Sequence, residues 1–157
     1  RVYCIPDASV IHIHGAAKQA NDKLVLGHGW ERTATDSFNH SIDPESADVR
    51  VLGGNEIVDR YFTETFKPTA RVIETHQSFF QSLSGIKKIF IIGHSLSSVD
   101  LPYLLELRRH LGNGDVQWQV SFHGSPEEAK AGVDRMGIDV NEVRFVPLNE
   151  LAEWACP

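Results

Sequence analysis

The stretch from Lys88 to Leu107, K-I-F-I-I-G-H-S-L-S-S-V-D-L-P-Y-L-L-E-L, constrains the fold more than any other part of the chain. Ile89, Phe90, Ile91 and Ile92 form a short β-branched apolar run between lysines and Gly93, the pattern of a strand covered on both faces. A helical stripe of leucines begins about ten residues later. Between the two, Gly93, His94, Ser95, Leu96, Ser97 and Ser98 make a tight strand-to-helix turn. Backbone N–H groups in such a turn can hold a polar or anionic ligand.

The chain beyond this turn repeats the same alternation. Leu101, Leu104, Leu105 and Leu111 form the stripe, with Arg108, Arg109 and His110 near its end and Gly112 as a stop. Val116, Trp118, Val120 and Phe122 alternate with polar residues as a strand does. Ser125, Pro126 and Glu128 open a helix that faces Ala129, Val133 and Met136 inward. Val143–Pro147 reads as a last strand, and Asn149 as the cap of a terminal helix through Trp154. Strands alternating with single helices predict an α/β domain with a mainly parallel sheet flanked by helices, of Rossmann-like type, with ligands at the carboxyl ends of the strands. Residues 1–157 read as one such domain, with 31–84 as an irregular and helical insertion.

The first third of the chain gives weaker signals. Residues 10–14 (V-I-H-I-H) read as a strand ending at Gly15, with His12 and His14 on one face, and Leu24–Leu26 as a second short strand closed by G-H-G. The polar stretch 31–55 reads as irregular, with room for one short helix. Ile57, Val58, Tyr61, Phe62 and Phe66, and then Val72, Ile73, His76, Phe79, Phe80 and Leu83, recur at helical spacing. Their aromatic residues read as core, not as a stacking platform.

Composition narrows the function. A net charge of −6 makes a nucleic-acid backbone an unfavoured partner. Two cysteines near opposite ends give neither a zinc ribbon nor a disulfide framework, which suits a reducing cytoplasm. No apolar run is long enough to span a bilayer. Arg1 in the place of a methionine suggests a piece of a longer protein.

Three chemistries are open at this level. Ser95 in G-H-S-L-S is one glycine short of a nucleophile elbow, with Asp115 and His123 as the partners in order, so a serine hydrolase is one reading. His12, His14 and His28 offer metal-ligand types, but no helical zinc motif accompanies them and no metal is expected. His14 before a glycine suits a general base near neutral pH. Asp100 before Leu101 and Pro102 reads equally as a helix cap or as a ligand contact. His40, His76 and His110 read as structural. A non-enzymatic sensing or interaction module is the remaining alternative.

I-H-I-H-G at 11–15, L-V-L-G-H-G at 24–29, I-F-I-I-G-H-S-L-S-S-V-D-L-P-Y-L at 89–104 and W-Q-V-S-F at 118–122 together resemble the AbiH family of bacteriophage abortive-infection proteins. The resemblance implies a phage-defence protein, here its C-terminal part, with a relationship to the sirtuin-type NAD-binding fold. It implies NAD or a related nucleotide as cofactor, and an NAD glycohydrolase when the N-terminal part is present. His14 would be the ribose-side base, and Gly15, Gly93, His94, Ser95, Leu96, Ser97 and Asp100 would line the cofactor. The partners implied are a small-molecule nucleotide and a phage or host protein. The four cysteines of a deacylase zinc module are not present, so deacylation is not implied.

Overall fold

The computed structural model describes residues 9–16, 24–111 and 116–154. The chain divides into two compact units, one built from residue 73 onward together with residues 9–11, the other from residues 12–72.

The larger unit is a three-stranded parallel sheet, β1 (Lys88–Ile91), β2 (Gln117–Phe122) and β3 (Val143–Pro147), in the order β1-β2-β3. Its register pairs Ile89 with Trp118 and Val143, and Ile91 with Val120 and Phe145. Side chains of paired residues share a sheet face, so these six residues form one apolar face. Two crossover helices cover it. We label them α4 (Leu101–His110) and α5 (Glu127–Arg135), after α1 (Val49–Glu64), α2 (Thr69–Thr75) and α3 (Gln77–Gln81) earlier in the chain. Consecutive parallel strands laid down in one direction with one handedness put both helices on the same side. The packing bears this out. Leu101, Leu104, Leu107 and Leu111 of the α4 segment and Ala129, Val133 and Met136 of the α5 segment enter one core with Ile91, Trp118, Val120 and Val143. Val120 and Met136 are wholly buried, each worth about 1.5–3 kcal/mol relative to exposure. α5 begins where Ser125 Oγ accepts the amide of Glu127 at 3.3 Å. The mixed α/β class with a parallel sheet flanked by helices is as the alternation predicted.

Several elements differ from expectation. β1 ends at Ile91, and Ile92 is exposed. The expected second long helix is broken at His76 into α2 and α3 and followed by a 3-10 turn over Ser82–Gly85. The terminal helix is a 3-10 segment, Leu148–Trp154.

In the smaller unit the two expected strands do not form. Residues 12–15 make a turn closed by the Gly15 amide on the His12 carbonyl at 2.9 Å, and Val25 N donates to His14 O at 3.0 Å without a ladder. Alternation gives a segment two faces, but a strand also needs a neighbour for its backbone groups. The described contact of strand type here is an isolated parallel bridge between His28 and Phe66. The region read as irregular contains the start of the longest helix. Asp48 accepts the Arg50 amide at 2.8 Å and starts α1 at Val49, ahead of Gly53 and Gly54. α1 buries none of its residues; Ile57, Val58 and Tyr61, expected inside, are exposed.

Candidate functional site

The turn after β1 is tied at Gly93 to β2 and at Leu96 to α5. Gly93, at φ 64°, donates its amide to Ser121 Oγ on β2 at 2.9 Å. Leu96 adopts φ 52°, the one described non-glycine residue in the left-handed region, a conformation costing about 1–2 kcal/mol for an L-residue. Complete burial of its side chain offsets that cost. Gly132 of α5 makes the space, since a Cβ there would stand 2.4 Å from the Leu96 Cβ. The Leu96 carbonyl accepts from Arg135 Nη2 at 3.0 Å.

The Leu96 amide donates to His94 Nδ1 at 2.9 Å. An acceptor at Nδ1 is the lone pair of a neutral ring, so the ring proton sits on Nε2. That atom faces Asp100 Oδ2 at 3.5 Å. His94 and Asp100 thus close the turn from the side. Asp100 stands at the cap position of α4 without a side-chain cap bond. Ser97 O takes the amides of Asp100 and Leu101, both at 3.1 Å, and Pro102 falls in the first helical turn where its missing N–H costs nothing. Beyond it Tyr103 is buried, and burial together with the negative charge of Asp100 raises its hydroxyl to about 12.

What is left for a ligand is the outer rim. Ser95 and Ser98 are exposed and Ser97 half-buried. Among the described residues the amides of Ser95, Ser97, Ser98 and Val99 take no backbone acceptor. At the carboxyl ends of β2 and β3 lies a cavity of about 440 Å³ lined by Phe122, His123, Gly124, Pro147, Leu148 and Asn149. It offers one imidazole and one carboxamide among apolar walls, and no lining residue is charged. Phe122 directly follows Ser121, the residue that holds Gly93, so turn and cavity share one sheet edge.

Ser95 forms no hydrogen bond to a histidine among the described residues, and the strained residue is Leu96, one position late for a nucleophile elbow. Asp115, the acid partner expected for a triad, lies outside the described residues. His123 is exposed and lines the cavity.

The smaller unit contains the other predicted residues. His14 and Gly15 are half-buried in the 12–15 turn. His28 is structural. Its Nε2 bonds the Phe62 carbonyl at 2.9 Å, its Nδ1 takes the Trp30 amide at 3.2 Å, and its ring meets Phe62 edge-on. Among the described residues no group of three or more His, Cys, Asp or Glu is placed to hold a metal ion, and no helix is long and apolar enough to cross a membrane.

The residues that sequence reasoning missed are Ser121, Gly132, Arg135 and, as a cavity wall, Asn149. Gly132 carries a readable signal, a lone glycine inside a helical pattern, which asks for a packing reason. Asn149 reads in sequence only as a cap.

No curated protein and no solved structure matches the chain. A family model described as bacteriophage abortive infection AbiH matches residues 1–122, which include the I-H-I-H-G turn, β1 with its G-H-S-L turn, and β2 to its last residue. With most of its length so matched, the chain belongs to the AbiH family of bacteriophage abortive infection.

Proposed function

We propose that this abortive-infection protein binds a nucleotide of the NAD or ADP-ribose class along the carboxyl edge of its parallel sheet. The observation that supports it is the rim of open amides and serine hydroxyls on the β1 turn beside an uncharged, partly apolar cavity at the ends of β2 and β3. Phosphate oxygens suit the amides and the hydroxyls of Ser95 and Ser97. A base or ribose suits the cavity, with Asn149 and His123 as hydrogen-bonding groups. The donor set fits one nucleotide half. His94, Leu96, Gly93 and Asp100 act here by shaping the rim, since His94 is engaged with the Leu96 amide and Asp100, the Gly93 amide with Ser121 and the Leu96 carbonyl with Arg135.

Cleavage of NAD is the finer proposal. In it water bonds to C1′ of the nicotinamide ribose as the C1′–N bond breaks, nicotinamide leaves as the neutral base, and the ring of His14 takes the proton released; Gly15, at φ 82°, allows the turn that holds His14. The resemblance to the sirtuin-type NAD enzymes motivates this step.

Titration calorimetry on the chain with NAD, ADP-ribose and ADP tests the binding. Saturable binding that weakens about tenfold in Ser95→Ala and Asn149→Ala is expected, from the loss of one charge-assisted or buried hydrogen bond. No heat of binding at millimolar ligand would sink the nucleotide reading. For cleavage, nicotinamide release is followed in the unaltered protein and in His14→Ala; equal rates remove His14 from the chemistry.

A further inference from the structure

α1 carries two apolar sides, and the structure accounts for one. At 3.6 residues per turn, Leu52, Asn55, Asp59 and Phe62 fall together. This side holds the loop before the helix. Asn39 donates to the Leu52 carbonyl at 3.0 Å, Ser37 Oγ to Asp59 at 2.7 Å, and Phe62 lies against His28, Trp30 and Phe38.

The same geometry places Ile57, Arg50, Tyr61, Gly54, Val58 and Val51, in that order, across about 120° of another side. All six are exposed, Ile57 at 67%, Tyr61 at 61%, Val51 at 52% and Val58 at 41%. A Cβ placed on Gly53 or Gly54 would meet nothing within 4 Å. A continuous stripe of this kind on a helix that buries no residue marks an interaction surface.

We propose that it is the contact of a two-fold homodimer, in which α1 packs antiparallel against α1 of a second copy. The charges on the stripe's edge select that occupant. Arg50 lies in the first turn and Glu64 at the last residue, both on the Ile57 flank of the stripe. A two-fold axis perpendicular to paired antiparallel helices brings each flank against the same flank of the other copy with the ends exchanged. Arg50 then meets the partner's Glu64, twice over. Residues 50 and 64 are centred on Ile57, and α1 runs from 49 to 64, so the register that pairs the charges overlaps the helices over nearly their whole length. Ile57 meets its own copy near the axis, and Tyr61 reaches the notch left by Gly54. Parallel pairing would leave Arg50 about 21 Å along the helix axis from the partner's Glu64.

A helix of about 24 Å contributes less than the roughly 800 Å² per partner of a standard interface, so the dimer forms in the micromolar range and reports on local concentration. The inference is independent of nucleotide binding.

Sedimentation velocity on the full chain from about 1 to 200 µM tests it, with circular dichroism to show that each variant keeps its helix. A monomer–dimer equilibrium is expected. Ile57→Asp should abolish it. Arg50→Glu and Glu64→Arg should each weaken it about tenfold or more, each substitution changing two contacts, and the double reversal Arg50→Glu/Glu64→Arg should restore it to within about threefold. A monomer throughout the range, a dimer insensitive to Ile57→Asp, or a double reversal no better than the singles would each overturn the proposal.

Discussion

The β1 turn and the loop that precedes α1 are both irregular segments fixed in one conformation, and they are fixed by opposite means. The turn is fixed by burial. Leu96 is completely enclosed, seated on Gly132, and its backbone is held by His94 and Arg135. The loop is fixed by a cation. The Arg32 guanidinium lies 4.9, 4.6 and 5.1 Å from the rings of Trp30, Phe38 and Phe62. It pairs with Asp59 at 2.8 Å and donates to the Asp36 carbonyl. Around it the apolar residues stay open, Trp30 at 48% and Phe38 at 45%. A segment with a core beside it is held by shape; one without a core needs a charge to gather its rings.

The largest test of this contrast is at a glycine each region depends on. Gly27, at φ 135°, passes so close to the end of α1 that a Cβ would stand 1.6 Å from the Thr65 carbonyl oxygen. That oxygen accepts the His28 amide, and the His28–Phe66 bridge rests on it. Gly27→Ala must move backbone, and a loss above about 3 kcal/mol is expected. Segment-resolved hydrogen exchange should show residues 24–66 deprotected while β2 and α5 keep their protection.

Gly132→Ala comes next. Its new methyl presses on the Leu96 Cβ at 2.4 Å, and overpacking of this kind costs about 1–3 kcal/mol. Leu96→Gly removes both the obstacle and the left-handed strain, at the expense of buried area. Urea unfolding of the two singles and the double forms a cycle. The double should be clearly more stable than the sum of the singles implies; simple additivity would mean that Gly132 does not shape the turn.

The two regions should also fail at opposite ends of the pH scale. Hydrogen bonds from Ser37 and Phe38, with the charge of Arg32, hold the Asp59 carboxyl below its ordinary 3.8. A carboxylate lowered by folding adds stability above its unfolded value and loses it as pH falls through the folded one. The loop therefore loosens below about pH 4. Burial and the charge of Asp100 raise Tyr103 from 10.0 to about 12. A phenol raised by folding adds stability below its unfolded value and loses it as pH rises through the folded one. α4 and the turn it carries therefore weaken between about pH 10 and 12. Exchange profiles at the two extremes, repeated with Asp59→Asn and Tyr103→Phe, check the assignment; each substitution should flatten its own limb alone.

The same contrast decides how much of the molecule is legible in its sequence. The β-α-β-α-β order and the turn at Gly93 are readable, because burial writes itself into sequence as runs and periods. The left-handed Leu96 is not, because its reason is a glycine in α5, far along the chain. α1 is half-hidden. Asp48 before V-R-V-L is a cap signal, but Gly53 and Gly54 mask the helical pattern, and helical spacing alone assigns an inward face to residues that lie outside. His12 and His14 have the pattern of strand residues without the strand, because alternation cannot say whether a neighbour exists to complete the ladder. The role of Arg32 is unreadable, since the rings around it come from positions 30, 38 and 62.

The smallest expected effect separates stability from function at the turn. Ser121→Ala removes the acceptor of the Gly93 amide, but Gly93 is exposed and water can take the place of the hydroxyl. The cost should sit near the low end of the 0.5–1.5 kcal/mol typical of a hydrogen bond, about 0.5 kcal/mol. If the rim is a ligand site, its spacing from the cavity matters more than its stability, because Ser121 is the link that ties the turn to the end of β2. Nucleotide affinity in Ser121→Ala should then fall by more than the twofold or so that the stability loss corresponds to, while Ser121→Thr, which keeps the hydroxyl, should restore it. Equal affinity in all three would show that the turn is held by Leu96 alone and that the strand hydroxyl is only a local hydrogen-bond partner.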